Sequence, residues 1–275
     1  ADRPGRDRMT LVSLDITGDV ARIALARPDR GNALDLPTAQ ALRDTIAKLG
    51  TGSDLGAVVL HGQGANFCVG GDLQSFADAA DPRGFLAELA ATAHEALLGL
   101  HALDVPVITA VRGACAGAGI GFALAGDIIL AGADARFRVA YTGAGLSPDC
   151  GVSWSLTRTI GPARAADLIL TNRLLDAEQA ERYGLVSRIV DGDVATEAFA
   201  LADTLSTGPR GAFAKSVRLV RDARETPLLH HLDVEAAGIS ALAESPEGQE
   251  GIRAFLERRH PDFPAARGDR TRFSN

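Results

Sequence analysis

Two glycine-rich turns, each entered from a short apolar run, constrain this chain more than any other feature. Ala57-Val58-Val59-Leu60 leads into Asn66-Phe67-Cys68-Val69-Gly70-Gly71-Asp72-Leu73. Pro106-Val107-Ile108-Thr109-Ala110-Val111 leads into Arg112-Gly113-Ala114-Cys115-Ala116-Gly117-Ala118-Gly119-Ile120-Gly121. Each reads as a buried strand that ends in a turn where only small residues fit, leaving backbone N–H groups free to point away from the sheet. Two such turns facing each other can grip one oxygen atom from both sides, the geometry of an oxyanion hole. Simpler readings stay open for each alone. The first could be a tight strand exit, or a helix N-terminus beneath an anion. The second could be close helix packing through Gly and Ala. It is not a dinucleotide fingerprint, because position 122 is Phe where the third glycine would stand.

Around these turns the pattern alternates strand and helix. Residues 11–17 and 20–26 flank Gly18-Asp19 as a hairpin. Asp35 caps a helix with Pro37 in its first turn. Strand 57–61, helix 84–101, strand 106–111, helix 117–125 and strand 127–131 follow, and connections this long imply parallel pairing. Helices start at Gly151, Gly161 and Asp176, with a strand over 185–190. From Asp193 the pattern is helical only, over 193–206, 209–223, 227–243 and 246–259. The chain is therefore expected to be α/β, with a core over 1–192, a helical region over 193–275 and a loosely held tail from Pro261.

Composition narrows the function classes. The net charge is −7, which speaks against nucleic acid as a partner. Basic clusters at Arg3–Arg8, Arg218–Arg224 and Arg253–Arg259 read as solvated faces or tails. The three cysteines (Cys68, Cys115, Cys150) show no CxxC spacing, which suits a reducing cytoplasm and no structural zinc. No apolar run reaches a membrane span, and the N-terminus lacks an apolar signal core, with Met9 an alternative start. The histidines (His61, His94, His101, His230, His231, His260) show no ligand spacing and read as surface or capping residues, so no metal is expected. Gly151-Val152-Ser153-Trp154-Ser155 is not a nucleophile elbow. Tyr141 and Trp154 read as core or pocket-wall aromatics. Asp149, in Leu146-Ser147-Pro148-Asp149-Cys150-Gly151, reads on spacing alone as a helix N-cap.

Taken together, these stretches resemble the enoyl-CoA hydratase/isomerase (crotonase) superfamily. The likeness includes Ala26-Arg27-Pro28-Asp29-Arg30-Gly31-Asn32-Ala33-Leu34, both glycine turns, 145–151, Ala180-Glu181-Arg182-Tyr183-Gly184-Leu185-Val186 and 251–259. The resemblance implies a spiral of ββα units, a C-terminal trimerisation region, homotrimers or dimers of trimers, and acyl-CoA thioesters of lipid metabolism as substrates. Coenzyme A belongs to the substrate, and no other cofactor is implied. By position, the two oxyanion donors fall on the N–H groups of Gly71 and Ala118. CoA contacts fall on Arg30, Ala33, Cys68, Gly70, Asp72 and Leu73, with Gly117 and Tyr141 near the thioester.

The departures from the family pattern matter as much. Typical hydratases carry two glutamates that hold water, and the corresponding positions here are Gly121 and Tyr141. Asp149 falls where some isomerases, and the 4-chlorobenzoyl-CoA dehalogenase branch, place a working aspartate. The expected activity is therefore an enoyl-CoA isomerase with Asp149 as proton shuttle. The alternatives are a hydratase with another acid/base set, an aryl-CoA dehalogenase-like enzyme, and a silent acyl-CoA-binding protein.

Overall fold

A computed structural model describes residues 10–50, 54–223 and 225–269. Met9, Arg3–Arg8, Arg224 and the end of the tail from 270 onward lie outside them. The elements in chain order are β1 (Val12–Thr17), β2 (Val20–Leu25), α1 (Leu36–Leu49), β3 (Ala57–Gly62), α2 (Leu73–Ala77) and α3 (Pro82–Ala102). Next come β4 (Val107–Val111), β5 (Ala114–Ala116), α4 (Ala118–Ala123), β6 (Ile128–Gly132), β7 (Arg136–Arg138), α5 (Val152–Ile160), α6 (Pro162–Thr171), β8 (Leu175–Asp176), α7 (Ala177–Arg182) and β9 (Arg188–Val190). The C-terminal helices are α8 (Val194–Ser206), α9 (Arg210–Asp222), α10 (Leu228–Ala243), α11 (Pro246–Glu257) and α12 (Phe263–Ala266).

One six-stranded sheet runs β1-β2-β3-β4-β6-β9, and a smaller one runs β5-β7-β8. Only β1–β2 is antiparallel in the larger sheet. After β4 and again after β6 the chain bends into a short strand of the smaller sheet before the next helix. This is the expected spiral of ββα units. The three-residue strands β5 and β7 escaped the sequence reading because each is too short to show a period.

Helix starts follow local chemistry. Asp35 accepts the Thr38 N–H at 2.9 Å, and Asp176 forms a capping box with Gln179. Helix α3 begins two residues before the expected Gly84, because Asp81 accepts the Gly84 N–H and Pro82 occupies the first turn. The strand expected over 185–190 is shorter, with Ser187 Oγ instead accepting the Ile129 N–H.

Apolar residues pack on both faces of the large sheet. On one face Val194, Ala198 and Ala202 of α8 bury against Val20, Val59, Ile108 and Leu130. The apolar core thus continues past residue 192 through α8. Two expectations for basic residues and the tail need correction. Arg218 and Arg221 do more than face solvent: both donate to carbonyls at the end of α3, and Arg221 clasps Asp127 at 2.7 and 2.8 Å. These carbonyls have no helical partner, so the guanidinium groups cap the helix. The segment after Pro261 is not loose up to 269 either. It forms α12, and Arg267 pairs with Glu247 at 2.6 Å and donates to Ser206 and Gly208 carbonyls. Among the described residues, no helix is long and apolar enough to cross a membrane.

Candidate active site

The two glycine turns meet. An isolated bridge pairs Cys68 with Cys115, carrying the first turn alongside β5. A Cβ on Gly70 would lie 3.0 Å from the Ala116 carbonyl oxygen and 3.5 Å from Gly117 Cα, so the turns touch through positions that exclude side chains. Gly70 (φ 100°) and Gly117 (φ 51°) also occupy backbone regions that favour glycine.

The N–H groups beside these contacts face outward for definable reasons. Leu34 donates to the Gly70 carbonyl at 2.8 Å and accepts from Asp72 N–H at 2.9 Å. In a parallel bridge this consumes the flanking groups and turns the N–H of Gly71 to the other edge. Ala118 opens α4, so its N–H has no acceptor within the helix. Both residues line a cavity of about 360 Å³. Apolar side chains form most of its wall, including Leu34, Leu73, Phe76, Leu89 and Leu146, and Asp149 is its one charged lining residue.

Asp149 is not a helix cap. Helix α5 starts at Val152, its cap is Gly151, and no side chain accepts from its first turn. Instead, Asp149 Oδ1 lies 2.6 Å from His94 Nε2 across the cavity mouth, with both side chains partly exposed. The Tyr141 hydroxyl donates to the Asp149 carbonyl at 3.2 Å, and Cys150 Sγ donates to Asp149 Oδ2 at 3.6 Å. Burial, then the neighbouring Cys150 and Asp149 charges, push the Tyr141 phenol above its ordinary value. It therefore stays protonated near neutrality and acts as a hydrogen-bond donor rather than as a base. Burial and Asp149 likewise push the Cys150 thiol up.

The two positions where the resemblance implies hydratase glutamates carry no carboxylate here. A Cβ on Gly121 would lie 2.1 Å from the Cys150 carbonyl oxygen, so no side chain fits there. Tyr141 fills the other.

Gly70, Gly71, Leu73, Gly117, Ala118, Tyr141 and Asp149 all line the cavity. Arg30, Ala33, Cys68 and Asp72 do not. Arg30 is exposed, beside Arg27, Asp29 and Gln63 at a separate depression. The carbonyl of buried Ala33 accepts from Arg27 at 2.7 Å, and Asp72 pairs with the same guanidinium at 3.2 Å. Cys68 is wholly buried, and burial pushes its thiol up to about 12. Its N–H is taken by the Ala114 carbonyl. Ala33, Cys68 and Asp72 brace the first turn from behind.

His94 was missed because no ligand spacing surrounds it. Its signal is helical phase: it stands one turn after Ala90 and two after Ala87, which line the cavity.

Comparison with known proteins agrees with this architecture. Residues 15–266 match the enoyl-CoA hydratase/isomerase family. A Rhodobacter capsulatus protein named "Probable enoyl-CoA hydratase" is 37% identical over 92% of this chain and 97% of its own. The 1,2-epoxyphenylacetyl-CoA isomerase of Escherichia coli is 33% identical over 93% of this chain and 98% of its own. The crystal structure of an enoyl-CoA hydratase from Polaromonas superposes with a TM-score of 0.86 at 32% identity, covering 91% of this chain and 98% of the other. The chain belongs to the enoyl-CoA hydratase/isomerase family and has the crotonase fold.

Proposed function

We propose that this protein is an acyl-CoA double-bond isomerase. The thioester oxygen sits between the N–H groups of Gly71 and Ala118, which hold the negative charge of an enolate. The Asp149 carboxylate takes the α-proton, electrons move onto the thioester oxygen, and the same carboxyl returns the proton to the γ-carbon as the double bond shifts. His94 steadies the carboxylate between these transfers. The carrying observation is that Asp149 is the one charged side chain lining the cavity, while of the two positions where the resemblance implies hydratase glutamates one is Tyr141 in the cavity wall and the other is Gly121, packed against the Cys150 carbonyl. The isomerase named among the relatives supports the reading, since its named substrate is also an acyl-CoA.

The 2.6 Å contact between His94 and Asp149 favours a second reading. Asp149 could attack an aryl-CoA ring carbon and displace halide, after which His94 would take a proton from water attacking the resulting ester. A β,γ-enoyl-CoA in D₂O separates the two. Isomerisation predicts the conjugated thioester, with deuterium at the γ-carbon of product and at the α-carbon of recovered substrate wherever the protonated carboxyl exchanges with solvent before it returns the proton. Absence of both across aliphatic and ring-bearing acyl-CoAs, with halide release from a halobenzoyl-CoA, would overturn the isomerase reading.

A further inference from the structure

His94, Asp149 and Cys150 bring three different donor types to one point. The imidazole nitrogen, a carboxylate oxygen and the thiol sulfur all lie within 4.8 Å of one another. The convergence has a backbone cause. Consecutive side chains on an extended strand point to opposite faces, but Cys150 has φ 51°, a left-handed turn that brings its sulfur to 3.6 Å from Asp149 Oδ2. Helix α3 supplies His94 from the other side.

We propose that this cluster is a binding site for a borderline-soft divalent cation of the zinc type, acting as a reversible inhibitor. Sulfur with imidazole selects Zn²⁺ or Co²⁺ over Mg²⁺ or Ca²⁺, which take oxygen. Ligand bonds of about 2.0–2.3 Å span most of the cluster as it stands, and rotation of the partly exposed His94 ring closes the rest. The local charge suits a cation, because Asp149 is the one charged lining residue of the cavity. A thiol binds such a cation as its thiolate, so coordination by Cys150 releases the thiol proton to solvent. Asp149 and Cys150 both line the cavity, so the remaining coordination position opens toward the substrate.

Only the inhibitory consequence rests on the isomerase reading; the binding does not. Titration of the purified protein with Co²⁺ tests the binding directly. The expected result is a thiolate-to-cobalt charge-transfer band saturating at one ion per chain. It should disappear in Cys150→Ala and Cys150→Ser, and require at least ten-fold more Co²⁺ in the surface variant His94→Gln. Zn²⁺ should displace the cobalt band and reduce α-proton exchange at least ten-fold, with recovery on chelation. No band in the wild type would overturn the site. So would a band retained in a folded Cys150 variant, which would put the ion on Cys68 or Cys115. If the band behaves as expected but the metal-free protein exchanges no α-proton, the site stands and the isomerase reading falls.

Discussion

Gly121 and Cys150 stand in contact such that a β-carbon on the glycine would meet the Cys150 carbonyl oxygen at 2.1 Å. This contact packs α4 under the segment that carries Asp149. It also leaves no room for a side chain at one of the two positions where the resemblance implies a hydratase glutamate. Gly121→Ala should destabilise the fold by about 1–3 kcal/mol, the range for overpacking a tight core, read as a lower urea midpoint. Gly121→Glu should confer no hydratase activity. A soluble Gly121→Glu protein that hydrates crotonyl-CoA would show the backbone there to be more accommodating.

Asp149→Asn keeps the size of the side chain and removes the carboxylate. Since Asp149 caps no helix, thermal stability should stay at the wild-type level. The α-proton exchange should fall by a factor of at least about 10² if one group supplies the general base. Wild-type exchange in this variant would remove Asp149 from the chemistry.

Ala118 opens α4, a position where proline is tolerated in helices. Ala118→Pro replaces the outward N–H with a ring carbon, whereas Ala118→Gly keeps the donor. The proline variant should lose about 10²–10³ in kcat, the usual cost of one oxyanion donor, and the glycine variant little. Equal turnover by two folded variants would place the thioester oxygen elsewhere.

The C-terminal helices leave Leu228, Leu229, Ile239, Ile252, Phe255 and Leu256 exposed, with Phe255 at 83%. So much outward apolar surface on α10 and α11 is expected to be covered by a second copy of the chain. Light scattering should return a trimer or a pair of trimers. Phe255→Glu should shift the mass downward without unfolding the core, and a monomeric wild type at micromolar concentration would reject the assembly.

Glu250 joins α11 to α12. Its carboxylate accepts from the two terminal nitrogens of Arg259, at 2.6 and 3.0 Å, and from the Asp262 N–H at 2.9 Å. The Arg259 hydrogen bonds come first in holding its pKa down, from 4.5 to about 2. A carboxyl depressed by folding contributes stability that is present above the unfolded value and lost as pH falls toward the folded one. Acid should therefore loosen this junction between pH 4.5 and about 2. Glu250→Gln should flatten that limb of a thermal-stability profile, and an unchanged limb would assign acid sensitivity elsewhere.

The sequence by itself determined the strands of the larger sheet, most of the capped helices and the two glycine turns, because these are local: apolar runs, Asp and Ser caps, and positions without room for a side chain. Resemblance across the whole chain added the fold and the place of Asp149. Several features came only from tertiary structure. The pairing of His94 with Asp149 joins residues 55 positions apart on different elements, and no spacing rule links them. Arg218 and Arg221 look like a solvated charge run in the sequence, yet packing aims them at the end of α3. The cap reading of Asp149 was chemically sound, but Gly151 took that place, which freed the carboxylate for the cavity. Local chemistry fixes what each segment can become. Which side chains share a cavity depends on how sheets and helices stack, and that information is not local.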